Sequence, residues 1–259
     1  MIFTNTNKHF LTQSLFFISF LFCHFFSFQS QEKLYNWIEL LPLYEKPDVN
    51  SKKIVAMPYG DSVLLIKKLP ILYESYFIHD TLIDKENFQF SPENNKIKGL
   101  WLEVGYQNYV VYVPNCFLNP LPTFDREKED ILTWLTRCFG KKIKHSHKKI
   151  KHESDEMEHL KTVFQFKKEI IFTVDSEYTK SGIGGESFQL ELPNIEFTQA
   201  FWMGVQFHPY IKRDLTSYKW NVYFDDEKLS IEHHQEAYFK VQSEKILNKT
   251  ILSWFFYSC

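Results

Sequence analysis

Glycine is scarce in this sequence, with 8 residues among 259. This scarcity excludes collagen and argues against nucleotide-binding folds that depend on closely spaced glycines. An excess of charge of one sign is also lacking, since 30 Lys and Arg residues face 32 Asp and Glu residues for a formal net charge of −2. Nucleic-acid-binding domains usually carry a strongly basic surface, so we expect no nucleic-acid partner.

Complete catalytic and metal-binding motifs are lacking as well. The glycines of residues 181–186 do not have the spacing of a phosphate-binding loop, and no HExxH motif surrounds His233 and His234. Imidazoles bind zinc, copper and nickel, but the histidines around residues 141–152 stand among six lysines whose positive charge opposes a dication. We therefore expect neither a metal ion nor a cofactor. The histidines in question are His145, His147, His152 and His159.

Charged side chains are almost missing from the first 30 residues, which contain Lys8 and no acid. The segment from Leu15 to Phe28 is mostly apolar and is too short for a membrane span, which needs about 20 residues. These features predict a secretory signal in residues 1–30 and an exported protein of the periplasm, cell envelope or exterior. Uncleaved anchoring and acylation at Cys23 are the alternatives. Any membrane contact is expected through this segment only.

Removal of the signal leaves three cysteines, which are Cys116, Cys138 and Cys259. An odd number leaves at least one thiol without an intramolecular partner in an oxidising compartment. We interpret Cys116 as a buried, unreactive residue at the end of an apolar strand. The sequence leaves the pairing of Cys138 with Cys259 open, and it leaves the oligomeric state open.

Short apolar runs separated by turn residues fill residues 34–118. One turn follows Pro58 and contains Gly60 and Asp61, and a second is expected at residues 105–108. Strands this short and this closely spaced predict a small barrel or sandwich. Alternation along the strands places a common set of side chains in its core, namely Ile54, Val63, Leu65, Trp101, Val104, Val111 and Val113.

Residues 34–118 resemble a bacterial Src-homology-3 (SH3) domain. The resemblance is carried in order by residues 43–47 (LYEKP), 54–57 (IVAM), 60–61 (GD), 63–66 (VLLI), 101–104 (WLEV), 109–113 (YVVYV) and 116–118 (CFL). In this family such domains are attached to exported wall-binding and wall-cutting proteins, so the resemblance implies a binding module. The chain departs from the family by an insertion at residues 67–98 and by Val-Tyr-Val where the family has Gly-Trp-Val. We expect a ligand-binding face near the loops, around Tyr44, Tyr59, Tyr109 and Tyr112.

Residues 121–159 differ in character from the segments on either side. Apolar residues recur at helical spacing from Ile131 to Phe139, and Gly140 is a typical helix stop. Lysines and then acids dominate the residues that follow, which predicts a solvated linker.

Residues 160–259 again alternate like strands, although they resemble no family. Seven candidate strands, including one over residues 200–207 (FWMGVQF after Ala200), predict an antiparallel sandwich or open barrel. The aromatic residues 201–210 and 254–257 are a possible binding stripe, but aromatic residues in strands more often belong to the core.

The sequence therefore predicts a mainly β protein with a signal (1–30), an SH3-like barrel (34–120), a helix and charged linker (121–159) and a second β-rich domain (160–259). The function we expect is non-enzymatic binding of a cell-wall component, a peptide or a protein at the cell envelope. The alternative is an envelope enzyme whose catalytic domain lies in residues 160–259, with His208, His233 and His234 as its acid–base groups.

Overall fold

The computed structural model of the chain describes residues 31–76, 88–90, 96–151, 157–179, 184–208, 220–224, 227–234 and 237–258. The expected signal in residues 1–30 lies outside this range. The chain divides into two units, Met1–Glu32 and Lys33–Cys259, and the strands and helices belong to the second.

Strands dominate the described residues, so the predicted mainly β class is confirmed. The strands of the first half are β1 (Lys33–Asn36), β2 (Leu40–Tyr44), β3 (Lys53–Pro58), β4 (Ser62–Tyr76), β5 (Phe88–Phe90), β6 (Lys96–Tyr106), β7 (Tyr109–Pro114) and β8 (Leu118–Asn119). The second half contributes β9 (Lys144–Lys151), β10 (Met157–Gln165), β11 (Ile171–Thr179), β12 (Gly184–Pro193), β13 (Trp220–Phe224), β14 (Lys228–His234), β15 (Ala237–Ile246) and β16 (Lys249–Ser258). Two α-helices, α1 (Ile131–Phe139) and α2 (Phe197–Phe207), and a 3-10 turn (Asn115–Phe117) complete the described elements.

The first sheet is antiparallel and contains seven strands among the described residues, in the order β3-β2-β7-β6-β4-β1-β8. Gly60 stands in the predicted turn between β3 and β4 with φ of +87°, a conformation that glycine adopts without a steric penalty. The second turn differs from the expectation, because β6 continues through Gly105 to Tyr106 and the chain reverses at Gln107 and Asn108.

The core around the first sheet includes the side chains expected from the sequence, although Trp101 and Val104, three residues apart on β6, point to opposite faces of the sheet. Val63, Trp101, Val104, Val111 and Val113 are buried, while Ile54 and Leu65 pack against them with partial exposure. The Trp101 ring meets the Tyr44 ring edge to face, with 5.5 Å between the ring centroids. This arrangement is typical of aromatic pairs in a packed core.

Helix α1 occurs where the helical spacing predicts it. Asp130 caps its first turn by accepting a hydrogen bond from the Thr133 backbone N–H at 2.7 Å. Gly140 ends it with φ of +81°. The buried Trp134 of this helix holds it to the chain that follows β8, since the indole N–H donates to the Pro122 carbonyl at 2.8 Å.

The second sheet contains nine described strands in the order β5-β13-β14-β15-β16-β12-β11-β10-β9. All of its pairs are antiparallel except that of β13 with β5, which comes from the insertion at residues 67–98. The insertion therefore reaches from the first half of the chain to the edge of the second sheet.

The lysine-rich part of the expected linker is a strand in the structure. Residues 144–151 form β9, which pairs with β10 along its whole length and is the last strand of the sheet. An edge strand needs only one hydrogen-bonded neighbour, so its side chains can stay in solvent while its backbone is ordered. Lys149 forms an ion pair with Glu158 at 2.7 Å across this pair of strands.

The expected strand over residues 200–207 is wrong, because these residues belong to helix α2. The Glu196 side chain and Gln199 form a capping box at its start, which fixes the first turn. The helix lies against the second sheet so closely that a Cβ added at Gly204 would stand 2.6 Å from side-chain atoms of Leu252 and Val241.

Contacts from α2 to the first half join both sheets within one core. Phe207 packs on Trp37, Trp134 and Trp254, with centroid distances of 5.8, 5.1 and 5.3 Å. Arg126 donates to the Phe207 carbonyl at 2.8 Å. The two predicted β-rich parts are therefore packed together in the structure.

Candidate functional site

The four tyrosines expected to bind ligand do not form one site. Tyr44 and Tyr112 are opposite each other across β2 and β7. Tyr44 is buried, and its ring packs on Trp101, so it belongs to the core. Tyr112 is half-buried. The expectation that Tyr44 faces a ligand is therefore replaced by a role in packing against Trp101.

Tyr59 and Tyr109 lie in separate places. The Tyr59 hydroxyl donates to the Phe124 carbonyl at 2.7 Å, and its ring contacts Trp37 at 6.4 Å between centroids. Burial raises the pKa of Tyr59 above its usual value. Tyr109 begins β7 beside the chain reversal and is half exposed. Of the four tyrosines, Tyr109 and Tyr112, both on β7, remain accessible. Tyr59 instead holds the segment around Phe124, which follows the first sheet, through its hydrogen bond.

An exposed apolar row crosses the first sheet beside these two tyrosines. Leu64 of β4 is opposite Gly105 of β6, which is opposite Val110 of β7. Directly opposed residues point to the same side of a sheet. Leu64 is 44% and Val110 is 60% exposed. Ile66 is also exposed, and its Cδ1 lies 4.0 Å from the position that a Cβ on Gly105 would take.

Local sequence explains how this row arises. Val63 and Leu65 of β4 point inward, so the intervening Leu64 must point outward. Val111 of β7 is buried and its neighbour Val110 is exposed for the same reason. Gly105 contributes no side chain between Leu64 and Val110, which leaves a shallow depression flanked by aliphatic groups. We call Leu64, Ile66, Gly105 and Val110 the β4–β6–β7 face.

Polar groups border the β4–β6–β7 face. Lys33 of β1 is opposite Leu64, and Lys67 is opposite Glu103, which in turn is opposite Tyr112. An apolar centre with a charged and aromatic border is the usual composition of a protein-binding surface. Sequence reasoning missed this surface, although runs of four or five apolar residues in a strand exceed what one buried face requires.

Histidines of the second sheet are engaged in pairwise contacts. His145 stacks on Phe164 at 4.8 Å between ring centroids, and His147 Nδ1 lies 3.0 Å from the Thr162 hydroxyl. His159 contacts the Asp175 carboxylate. Within the described part of the chain, no three His, Cys, Asp or Glu side chains are grouped so that they could hold a metal ion. His152 lies outside that part.

His208 is the described member of the acid–base set that the enzyme alternative requires. It is fully buried at the end of α2, and its Nε2 lies 3.1 Å from the Phe255 carbonyl, to which it donates. The pKa of His208 is lowered to about 4, mainly because burial disfavours the charged imidazole; the hydrogen bond to Phe255 opposes this effect and the nearby Arg126 charge adds to it. The imidazole is therefore neutral at pH 7. The side chains of His233 and His234 lie outside the description.

The cysteine thiols at positions 116 and 138 are free. Burial raises the pKa of the Cys116 thiol, as expected for a buried cysteine, and raises that of Cys138 to about 12. Neither thiol is a thiolate at neutral pH, and the thiolate is the nucleophilic form. Cys259 lies outside the described residues, and its pairing stays open.

A pocket of about 700 Å³ lies between α1 and the chain that leads into β9. The guanidinium of Arg137 is held at its wall by two hydrogen bonds to Glu129, at 2.5 and 3.2 Å, and one to the Thr123 carbonyl at 3.0 Å. The other lining residues are Asp130, Leu132, Thr133, Thr136, Lys141, Lys142 and Phe166. The pocket is therefore lined by apolar side chains, by two lysines and by the acid Asp130 near the ion-paired Arg137.

No protein-family model, curated protein or solved structure matches this chain. Among the described residues, no helix has the length and the apolar character that crossing a membrane requires.

Proposed function

We propose that this chain is an exported, non-enzymatic binding protein of the cell envelope, built on an SH3-like domain, and that its β4–β6–β7 face holds an apolar segment of a protein or peptide partner. The observation that carries the proposal is the row formed by Leu64, Gly105 and Val110, in which the aliphatic side chains of Leu64 and Val110 are exposed on one side of the sheet.

Aliphatic side chains in this position do not contribute to the core. Their exposure costs free energy in water, and about 25 cal/mol is recovered for each Å² of apolar surface that a partner covers. Exposed apolar residues scattered singly need no explanation, whereas a contiguous group often marks an interaction site. Leu64, Ile66 and Val110 surround one glycine, so they form such a group.

The nature of the side chains favours a protein or peptide over a glycan. Sugars usually stack on aromatic rings, while the centre of the β4–β6–β7 face is aliphatic. The half-exposed Tyr109 and half-buried Tyr112 stand at its border, where their hydroxyls can meet polar groups of a partner. The apolar segment in residues 1–30 supports export, which brings the face to the envelope.

Sedimentation with purified, lipid-free cell wall tests this proposal. One sample of wall keeps its bound proteins, and a second is freed of them with protease. The chain is expected to sediment with the first sample and to do so much less with the second. Equal binding to both would identify the wall polymer as the ligand and contradict a protein partner.

Variants locate the surface. Leu64→Thr with Val110→Thr places β-branched residues, which strands favour, at both positions and removes apolar area, so we expect an unchanged melting temperature and binding reduced about tenfold, which corresponds to about 1.4 kcal/mol. Leu247→Asn is the matched control, because Leu247 is an exposed leucine on another part of the molecule. Unreduced binding of the double variant would contradict the proposal.

A further inference from the structure

Lysines and exposed aliphatic residues lie together at one end of the strands of the second sheet. Lys144 at the start of β9 is opposite Gln165 at the end of β10, and Gln165 is opposite Ile171 at the start of β11. The same end continues through Glu191 of β12 to Lys249 of β16, because Ile171 is opposite Glu191 and Pro193 is opposite Lys249.

Six exposed lysines occupy this end and the turns that leave it. We call it the lysine-rich end and define it by Lys141, Lys142, Lys144, Lys167, Lys168 and Lys245 together with Ile143, Ile246 and Leu247. Among the described residues, the exposed acids of the same end are Glu169, Glu196 and Glu227, and Glu191 is paired with Lys249 at 3.2 Å. Exposed lysines therefore outnumber exposed acids among the described residues of this end, although the net charge of the chain is −2.

The three aliphatic residues are exposed among these lysines. Ile143 is 64% and Leu247 is 89% exposed, and Ile246 precedes Leu247 at the tip of the β15–β16 hairpin. Leu247 has a φ of +54°, a conformation that Gly or Asn adopts more readily than leucine. Turn geometry therefore does not explain a leucine at this position, and core packing does not explain it either.

We propose that the lysine-rich end docks on an anionic lipid bilayer, with Ile246 and Leu247 in the interfacial region and the lysines against the headgroups. Charge complementarity selects an anionic surface, since each Lys near such a surface contributes about 1 kcal/mol, or about fivefold in affinity. Ile246 and Leu247 favour a lipid bilayer over a soluble polyanion, because only the bilayer has an apolar interior in which these side chains can be buried. The pocket beside Lys141 and Lys142, whose lining also includes apolar residues and Asp130, lies next to this end.

This contact is distinct from the β4–β6–β7 face and does not depend on it. It also differs from the sequence expectation that residues 1–30 make the only membrane contact. In an envelope protein it would hold the second sheet on a membrane while the first sheet faces a partner.

Co-sedimentation of the full chain with vesicles tests the proposal. Vesicles of phosphatidylcholine with phosphatidylglycerol at one third are compared with pure phosphatidylcholine, and the ratio of the two partition coefficients is measured. Residues 1–30 contain one lysine, Lys8, which is the same in every variant, so its contribution cancels when variants are compared with the unaltered chain. The ratio is expected to exceed tenfold at low salt and to fall towards one at 0.5 M salt.

Two variants separate charge from insertion. Lys141→Gln, Lys142→Gln and Lys144→Gln together are expected to lower the ratio at least about tenfold, by the same estimate for each lysine. Leu247→Asn is expected to lower partitioning on anionic vesicles about threefold or more while keeping or raising the melting temperature, because Asn tolerates the positive φ. The control is Leu64→Thr with Val110→Thr, which should partition like the unaltered chain.

Three results would overturn the proposal. One is a ratio near one for the unaltered chain. Another is a loss with the lysine variant but none with Leu247→Asn, which would show binding to any polyanion through charge alone. The third is an equal loss with the Leu64 and Val110 control. The cell wall in the sedimentation assay contains no lipid, so a failure of either proposal can be told from a failure of the other.

Discussion

Acid should destabilise this protein through one buried histidine. His208 has a pKa lowered to about 4 from the usual 6.5, mainly because burial disfavours the charged imidazolium. In the unfolded chain the same imidazole takes up a proton as the pH falls below 6.5, whereas in the folded chain it stays neutral until about pH 4. The unfolded state therefore binds more protons in this window, and stability falls as the pH falls.

The size of the effect follows from the shift in the pKa. Each pH unit between the two values costs about 1.4 kcal/mol, so His208 alone lowers the free energy of unfolding by about 3 kcal/mol between pH 7.5 and pH 4. That is a large share of the roughly 5–15 kcal/mol that stabilises a typical domain. Below pH 4 both states are protonated and the contribution stops growing.

Urea unfolding at half-unit steps from pH 8 to pH 4 measures this dependence, with His208→Gln as the comparison. Glutamine keeps a donor for the Phe255 carbonyl but cannot take up a proton. The free energy of unfolding of His208→Gln should therefore fall less steeply between pH 6.5 and pH 4 than that of the unaltered chain. Carboxylates titrate in the lower part of the window in both proteins and cancel in the difference. Parallel curves for the two proteins would show that His208 is not a buried neutral group and would refute the reasoning.

Three further predictions concern packing, and each is measured by urea unfolding. Trp101→Ala should lower the free energy of unfolding by about 3–5 kcal/mol, because the indole is buried between Tyr44 and Tyr73, and a change below 1 kcal/mol would contradict this core. Gly204→Ala should cost about 1 kcal/mol net, since an added Cβ would lie 2.6 Å from side chains of the sheet and overpacking outweighs the gain in helix propensity; a stabilised variant would show that α2 stands farther away. Ser243→Ala should be neutral or stabilise by about 1 kcal/mol, because the buried hydroxyl has no hydrogen-bond partner among the described residues, and a loss above 1 kcal/mol would reveal one.

Periodicity predicted α1 and failed for α2 for one physical reason. Helix α1 has one apolar side and one polar side, so its residues repeat at helical spacing. Helix α2 contacts the second sheet through Gly204 and the first half through Phe207, and it is buried on nearly every side. A continuous apolar run fits a buried helix and a buried strand equally well. The capping box of Glu196 and Gln199 is the signal that distinguishes them.

The lysine-rich strand β9 shows a second limit of pattern reasoning. Composition predicts a solvated segment, and the side chains of residues 141–149 are indeed exposed. The backbone is nevertheless paired, because β10 offers a free edge and pairing requires no apolar side chain on the added strand. Exposure of side chains could be predicted from the sequence, whereas participation in the sheet depends on a neighbour that the local sequence does not specify.

The tyrosines illustrate the corresponding limit for the site. Alternation correctly predicted the buried Val104 and Val111, and the same alternation implies that Gly105 and Val110 point outward. The predicted site consists instead of tyrosines near the loops, and one of them, Tyr44, is buried against Trp101. Which side of a twisted sheet is covered near its end depends on tertiary packing, which no local pattern reveals.

Side-chain footprinting with hydroxyl radicals tests the central claim most directly. The chain is labelled alone and when bound to lipid-free cell wall that retains its proteins, and modification is read by mass spectrometry. The account predicts that Leu64, Ile66 and Val110 lose most of their modification on binding while the exposed Leu247 keeps its own. Unchanged modification of those three residues in wall-bound protein would contradict a partner on the β4–β6–β7 face.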